Sequence, residues 1–559
     1  MNSREWEQMV RGMDRRAFLK RSALAAGVLM GGGLAGCNTV GGEVGGDAAA
    51  EAIADTASGR VRGFFDDGVY SFKGLPYGAS TAGPGRFMPP AKPAPWTGVR
   101  EALEWGPRSP QTRAEGDRII PAAVPLNPGE AMSEDCLMLN VWTPATNDGA
   151  RRPVMVWFHG GGYSRGAGSW DNYDGTALAG KKDVVAVTVN HRLNIFGFLH
   201  LSEIGGDKYA ESSNVGMKDL VAALEWVRDN IENFGGDPSN VTIMGQSGGA
   251  GKVSTLMGMP AARGLFHKAV VMSGSAVRSG SASDAAVGAE AVLGHLGLDR
   301  NRIDEIQNVP VAQFLDLTIT PGAVPFRLGP VADGSSLPTH VFDPEASELC
   351  ADIPLLIGST ETEVTWDAEM NYDELDEAGL QRRLQETLRV DDSTAGDVAA
   401  IFRKNRPAAS NLELYLIAAS DAGGARLGTD LEMERKRMQG GAPVYRYYFQ
   451  WYSPVSGGTI RAAHTMDIPF ALDTASQSPS MVGTGPEVQP LADKMSAAWA
   501  AFARTGNPNT EMLPDWPAFD LDSRSTMFFN NECRQVNDPY NEERQAIADA
   551  LANRNPRGA

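Results

Sequence analysis

Two pentapeptides in this 559-residue chain fit the pattern Gly-x-Ser-x-Gly, which can hold a serine hydroxyl on a tight turn as a nucleophile. One is Gly162-Tyr163-Ser164-Arg165-Gly166 and the other is Gly245-Gln246-Ser247-Gly248-Gly249. The chemistry either could carry is covalent catalysis: the serine attacks a carbonyl carbon, a base takes its proton, and backbone N–H groups hold the charge that builds on the oxygen. At most one of them can do this work. A working turn needs a strand before it, small neighbours around it, and a helix after it whose N-terminus points at the reacting atoms. Both serines follow strand-like runs, residues 153–158 and 241–244. Only Ser247 leads into small residues and then helix formers, GGAGKVSTLMG; Ser164 leads into RGAGSWDNYDG, which has no apolar period. Ser247 is therefore read as the nucleophile and Ser164 as a loop residue.

The run His159-Gly160-Gly161-Gly162 then has another use. Glycines let a backbone approach a substrate closely, and N–H groups preorganised around a developing oxyanion lower the barrier by a few kcal/mol each. Tyr163, directly after the run, is placed to face the substrate.

A serine hydroxyl needs a base within hydrogen-bond reach, itself oriented by a carboxylate, and around a strand-turn-helix nucleophile these follow in the order serine, acid, histidine. Of the seven histidines, His159, His191 and His200 precede Ser247, while His267 and His295 follow it too closely. His340 and His464 remain. His464 lies in GGTIRAAHTMDIPF, a loop between a strand-like segment and an apolar one; His340, in SSLPTHVF, reads as a surface or helix-start residue. The acid belongs at a strand end between Ser247 and His464. Residues 354–357 (PLLI) followed by Gly358 make such a strand, and the loop Ser359-Thr360-Glu361-Thr362-Glu363 offers both Glu361 and Glu363. Asp333, in GPVADG, is a third candidate whose plainer use is capping a turn.

The elements that must position these groups read as α/β. Short Val/Ile-rich runs at 153–158, 183–190, 241–244, 269–272, 354–357 and 445–450 alternate with helical patterns, the signature of a mostly parallel sheet with crossover helices. Residues 219–234 place Leu220, Ala223, Leu224, Val227 and Ile231 on one helical face, and Gly235-Gly236 ends it. Residues 284–319 and 367–439 are mainly helical in pattern. With no linker to divide it, 52–559 reads as one large α/β domain with helical insertions.

The first 36 residues read as processing information. Asp14-Arg15-Arg16-Ala17-Phe18-Leu19-Lys20 resembles a twin-arginine export signal, and residues 22–35 are apolar but too short to span the roughly 30 Å of a bilayer core. Leu34-Ala35-Gly36-Cys37 resembles a bacterial lipobox, which makes Cys37 the expected lipidation site and residues 37–51 a Gly/Ala-rich tether. These features imply export to the periplasm or cell envelope, with membrane association through the lipid at Cys37. Three cysteines remain after it, Cys136, Cys350 and Cys533, an odd number that excludes a disulfide framework. The formal net charge of −19 argues against a nucleic-acid partner, which needs a basic face.

The chain resembles the type-B carboxylesterases, the cholinesterase-like branch of the α/β-hydrolases. The resemblance is carried in order by Phe72-Lys73-Gly74-Leu75-Pro76-Tyr77, Arg86-Phe87, the segment EDCLMLNVWTP beginning at Glu134, the HGGG run, Asn190-His191-Arg192, residues 214–219, and FGGDPSNVT leading into the Ser247 turn. It implies an α/β-hydrolase fold and hydrolysis of a small-molecule carboxylic ester through an acyl-enzyme, with no metal or organic cofactor. It also implies the triad Ser247, Glu363 and His464, since the family's acid stands five residues after the glycine that matches Gly358. The oxyanion donors it implies are the N–H groups of Gly161, Gly162 and Gly248, and it implies a buried Arg192–Asp219 pair and a Ser273 near the triad. Two departures bear on specificity. Gln246 stands where the family usually has Glu, and Ser109 where it often has a cysteine bridged to the residue matching Cys136, so Cys136 is expected to be a free thiol. Between Ser109 and Glu134 there is no aromatic residue to meet a quaternary ammonium, which favours a neutral ester of a bulky or aromatic alcohol over a choline ester. Hydrolysis of amides or carbamates by the same triad, and a non-catalytic esterase-like adhesion protein, are the competing readings.

Overall fold

The β-branched and aromatic runs pair into a twisted central sheet because neither face of most of them can be left in water. In the computed structural model, which describes residues 52–112, 131–324, 328–366 and 370–553, all described residues belong to one compact unit, Ala48–Ala559. Among them the sheet has eleven strands: β1 (Phe64–Asp66), β2 (Val69–Pro76), β3 (Met138–Thr143), β4 (Arg152–Phe158), β5 (Val185–Val189), β6 (Gly236–Gln246), β7 (Lys268–Met272), β8 (Leu355–Thr360), β9 (Val444–Phe449), β10 (Thr526–Phe529) and β11 (Arg534–Val536). Their spatial order is β11-β10-β9-β8-β7-β6-β4-β5-β3-β2-β1. Neighbours from β5 through β4, β6, β7, β8 and β9 to β10 are parallel, whereas β11 at one edge and β3, β2 and β1 at the other pair antiparallel.

Every residue of β5, β7, β8 and β9 is buried, which is why these strands read as continuous apolar runs and not as alternation. The pleat sends successive side chains to opposite faces. Val154, Val156, Phe158, Val241, Ile243, Ala269 and Val271 pack into one core cluster, while Met155, Trp157, Met244, Val270, Met272 and Leu356 pack into the other.

The expected helix after β5 begins four residues earlier than its apolar period suggests, running Val215–Asn230 and closing in a short 3-10 turn, Ile231–Phe234, before Gly235 at φ 73°. Gly216 concealed that start. A Cβ there would lie 2.7 Å from the Arg192 carbonyl oxygen, so the glycine marks close packing and not a break. Leu220, Ala223, Leu224, Val227 and Ile231 are all buried, as the period requires. The helical insertions are Ala282–His295, Val311–Ile319, Glu377–Leu388, Asp392–Asn405, Asn411–Ala422 and Gly424–Met438. Side chains of Ser281, Asp376, Asp391 and Ser410 cap four of them at the N-terminus.

Parallel strands bring their C-terminal ends to one edge of the sheet, and the ladder extends a step beyond it: Ser247 N–H donates to Met272 O and Ser273 N–H to Gly358 O, each at 2.9 Å. Arg192 and Asp219 form the expected buried pair, with Nε donating to Oδ2 at 2.8 Å and Nη2 to Oδ1 at 2.6 Å. A second buried bidentate pair, Arg86 with Glu134 at 2.7 and 2.6 Å, joins two segments that carried the family resemblance. His340, read as a surface or helix-start residue, is half-buried with no helix beginning at it, and its Nδ1 accepts from Ser279 N–H at 3.3 Å. Cys37 and the other residues of 1–51 lie outside the described residues.

Candidate active site

Ser247 follows β6 directly and sits at φ 57°, ψ −122°, a conformation an L-residue adopts only when its surroundings impose it. Two glycines impose it. A Cβ on Gly249 would lie 2.0 Å from Phe158 O, and one on Gly245 would lie 2.5 Å from the Gly249 carbonyl carbon. The helix Gly248–Leu256 starts at once, so the serine stands at its N-terminus, partly accessible. Ser164 has none of this. It is exposed on a turn in which Arg165 N–H donates to Gly161 O at 3.1 Å, and no helix follows.

His464 Nδ1–H donates to Glu363 Oε2 at 2.5 Å, and Glu363 Oε1 accepts from the Thr360 N–H at 2.8 Å. Burial alone would push the Glu363 carboxyl up. The adjacent His464 outweighs it by charge and hydrogen bond, with Ser273 and Thr360 adding to the same side, and the net shift is downward. Ser273 Oγ makes no hydrogen bond of ordinary geometry, so its part is proximity to that carboxylate. The competing acids are occupied elsewhere. Glu361 accepts from Arg406 Nη1 and Gln450 Nε2, both at 2.7 Å. Asp333 caps its own turn, accepting from Ser335 N–H at 2.9 Å and Leu337 N–H at 3.0 Å.

The glycine run divides by what its N–H groups are doing. Gly160 N–H bonds to the buried Tyr173 hydroxyl, and Gly160 O accepts from His159 Nδ1 at 2.8 Å. Gly161 and Gly162, at φ 88° and 61°, and Gly248 at the helix start have no acceptor for their N–H groups among the described residues. The two sources of donors touch, since a Cβ on Gly248 would fall 2.3 Å from Gly162 O. Gly162, Tyr163, Ser247, Gly248 and His464 line one cavity of about 700 Å³. Tyr163 faces it and braces edge-on against Phe198, ring centroids 5.2 Å apart. A serine, a histidine paired with a carboxylate, and the open N–H groups of Gly162 and Gly248 around one space, with Gly161 next in the chain, form an arrangement that can run acyl transfer. Among the described residues, no cluster of three or more His, Cys, Asp or Glu side chains could hold a metal ion.

Residues 50–548 match the model of the carboxylesterase family. The chain belongs to that family. It is 35% identical over 507 residues to the para-nitrobenzyl esterase of Bacillus subtilis, covering 89% of this chain and 98% of that one. A crystal structure of a Geobacillus stearothermophilus carboxylesterase superposes with a TM-score of 0.75 at 35% identity, over 89% of this chain and all of the other. An esterase of Clostridium hathewayi described as hydrolysing aliphatic aromatic polyesters superposes at 0.76 and 33% identity, over 89% and 98%. The protein is a carboxylic ester hydrolase with the α/β-hydrolase fold.

As a carboxylesterase it differs from the common pattern at two buried places. Ser109 lies beside Cys136, and its hydroxyl accepts from Leu193 N–H at 3.2 Å; burial pushes the Cys136 thiol up to about 12, and the thiol is free. Gln246 puts its Nε2 at 3.4 Å from His464 Nδ1 and 3.3 Å from Nε2. Near-equal distances place that amide over the ring face, leaving the ring edge to other partners. The stretch that matches the cholinesterase tryptophan loop falls largely in 113–130, outside the described residues.

Two polar residues near the site escaped the sequence reading. Asp467, three residues after His464, is fully buried, accepts from Tyr447 OH at 2.7 Å, and is pushed up to about 7 by burial, partly offset by that bond. Lys252 is fully buried five residues after Ser247. Its signal was a charged residue on a helix otherwise made of small and apolar side chains.

Proposed function

We propose that Ser247 attacks the ester carbonyl, His464 takes its proton and returns it to the leaving alcohol, and Glu363 orients His464. The N–H groups of Gly161, Gly162 and Gly248 receive the oxyanion in both acylation and deacylation, the second with water as nucleophile. The observation that carries this is the contact of His464 Nδ1 with Glu363 Oε2 at 2.5 Å, at a cavity that Ser247 enters from a strained helix start. Labelling with an aryl phosphonate probe, followed by peptide mass spectrometry, tests it. The Ser247 peptide should carry the label in the wild-type chain, and a label on any other serine overturns the assignment.

The preferred substrate is a neutral ester of a bulky or aromatic alcohol. Among the described lining residues there is no carboxylate, so a cationic substrate would meet no counter-charge there and only the Tyr163 ring, which supports a neutral substrate. The relatives named for para-nitrobenzyl esters and for aliphatic aromatic polyesters support the same class. A panel sharing one acyl group, with an aryl ester, a choline ester and an anilide, together with an aryl carbamate, checks it: the neutral aryl ester should be cleaved fastest, and a choline ester cleaved as fast would overturn the preference. Export by the twin-arginine-like segment of 1–36 and lipidation at Cys37 belong to the same proposal, supported by the sequence pattern. Cys37→Ser should abolish incorporation of labelled fatty acid, and unchanged labelling would refute the anchor.

A further inference from the structure

The helix that begins at Gly248 carries a lysine with no evident reason to be where it is. Lys252 has no solvent exposure and, among the described residues, no acidic group bearing on it; burial alone lowers its pKa to about 7. Its surroundings are basic or neutral. His159 and His191 stack at 5.1 Å between ring centroids, both buried and both held well below their ordinary pKa, first by burial and then by Lys252. Arg192 is committed to Asp219, and the Tyr163 ring centroid is 6.0 Å from the lysine Nζ. A methionine would fill nearly the same volume and escape the cost of taking an amine out of water without a counter-ion. What a methionine would lack is a donor.

Among the described residues that donor has one partner. Lys252 Nζ gives a hydrogen bond to the His159 carbonyl oxygen at 2.8 Å. His159 is the residue from which the chain turns into Gly160, Gly161 and Gly162. The same peptide region is pressed onto the helix start, for a Cβ on Gly249 would meet Phe158 O at 2.0 Å and His159 O at 3.1 Å. The lysine thus reaches from the second turn of the helix to the root of the glycine loop.

We propose that Lys252 is a positioning residue of the oxyanion site: by holding the His159 carbonyl against the helix that carries Gly248, it sets the spacing between oxyanion donors that come from two separate elements. The proposal rests on the reading that Gly161, Gly162 and Gly248 receive the oxyanion. Either protonation state of the amine can donate, so the tie persists across neutral pH. Stabilisation of a developing charge depends on donors already in place, and a misplacement of the order of 1 Å costs about 100-fold.

Lys252→Met in the full chain tests it. The expected result is a kcat about 10- to 100-fold lower on an aryl ester with KM within about threefold, and a Tm equal to or above that of the wild type. Inhibition by an aryl trifluoromethyl ketone, whose adduct with Ser247 bears an oxyanion, should weaken by the same factor as kcat/KM. Binding of the matching methyl ketone, which stays a ground-state mimic, should not change. Retention of kcat within twofold, a loss confined to KM, or equal weakening of both ketones would overturn the proposal. Should the methionine variant fail to fold, Lys252→Gln, which keeps a donor on a shorter stem, is read by the same ratios and should fall between wild type and the values above. Ser247→Ala run alongside separates the two levels: full activity there removes the underlying reading, whereas an unaffected Lys252→Met removes only this one.

Discussion

The two Gly-x-Ser-x-Gly turns share five-letter spelling and little else. At Ser247 the flanking glycines exist because backbone crowds them: Gly249 against Phe158 O, and Gly245 against Gly249 itself. At Ser164 both glycines sit at positive φ in a bending loop: Gly162 at 61° with only the Ser164 hydroxyl near, and Gly166 at 112°, where a Cβ would meet His159 Nδ1 at 2.2 Å and Gly160 O at 2.5 Å. Glycine is required in both, so the match at 162–166 follows from loop geometry and its serine is incidental. The pentapeptide reports steric confinement. Whether the confined serine reacts depends on the strand behind it and the helix ahead of it.

The largest test of that contrast is at the serines. Ser247→Ala should lower aryl-ester kcat/KM by about 10⁴-fold or more, and Ser164→Ala should leave it within about twofold; comparable losses would erase the distinction. Next come the two glutamates, which pose the same problem two residues apart. Glu363→Gln should reduce kcat about 10²- to 10⁴-fold through the orientation of His464. Glu361→Gln should instead lower unfolding stability by about 1–3 kcal/mol, since it weakens the buried partner of Arg406, with kcat nearly kept. Denaturant melts and initial rates on the two variants sort them. Third, Gly249→Ala should cost about 2–4 kcal/mol of stability and Gly162→Ala about 1–2 kcal/mol, because a Cβ at Gly162 meets only the Ser164 hydroxyl at 4.0 Å and pays for its positive φ alone.

An effect of similar size, seen only when pH is varied, is a pH dependence confined to the Ser247 side. Its helix packs on Gly424–Met438, where buried Glu432 accepts from Ser254 Oγ at 2.7 Å and is pushed up to about 7, chiefly by burial. The folded chain keeps this proton between the ordinary value near 4.5 and about 7, where the unfolded chain gives it up. The contribution is therefore fully present below about 4.5 and lost as pH rises towards 7. Glu432→Gln, neutral throughout, should raise stability at pH 8 by about 1–3 kcal/mol relative to its effect at pH 4.5, measured by thermal melts at both values.

Much of this site was legible in the sequence because its backbone demands leave marks. Gly-Ser-Gly packing at an elbow, a glycine-rich loop, and a strand ending in Gly358 are each written in residues with few conformational alternatives. Glu363 and Glu361 were not separable by pattern, because the difference is which side of one loop faces His464 and which faces Arg406. Asp467, Glu432 and Lys252 were less visible still. Each is an ionisable group buried without a full counter-charge, and a sequence shows such a residue only as an odd letter in an apolar stretch, not the partner it meets across the fold. The early start at Val215 was hidden for a related reason, since a glycine tolerated for close packing spells the same as one that ends a helix.

Ser247, Glu363 and His464 are brought together from points about one hundred residues apart along the chain, by strands that are parallel and therefore joined by long crossovers. Contacts of that sequence separation form late, after local helices and hairpins have already paid little to appear. Ester hydrolysis is thus a clock for the final stage of folding. On dilution from denaturant, the far-ultraviolet helical signal should recover first and catalytic turnover afterwards, with a lag set by the closing of β6, β7, β8 and β9 onto one another.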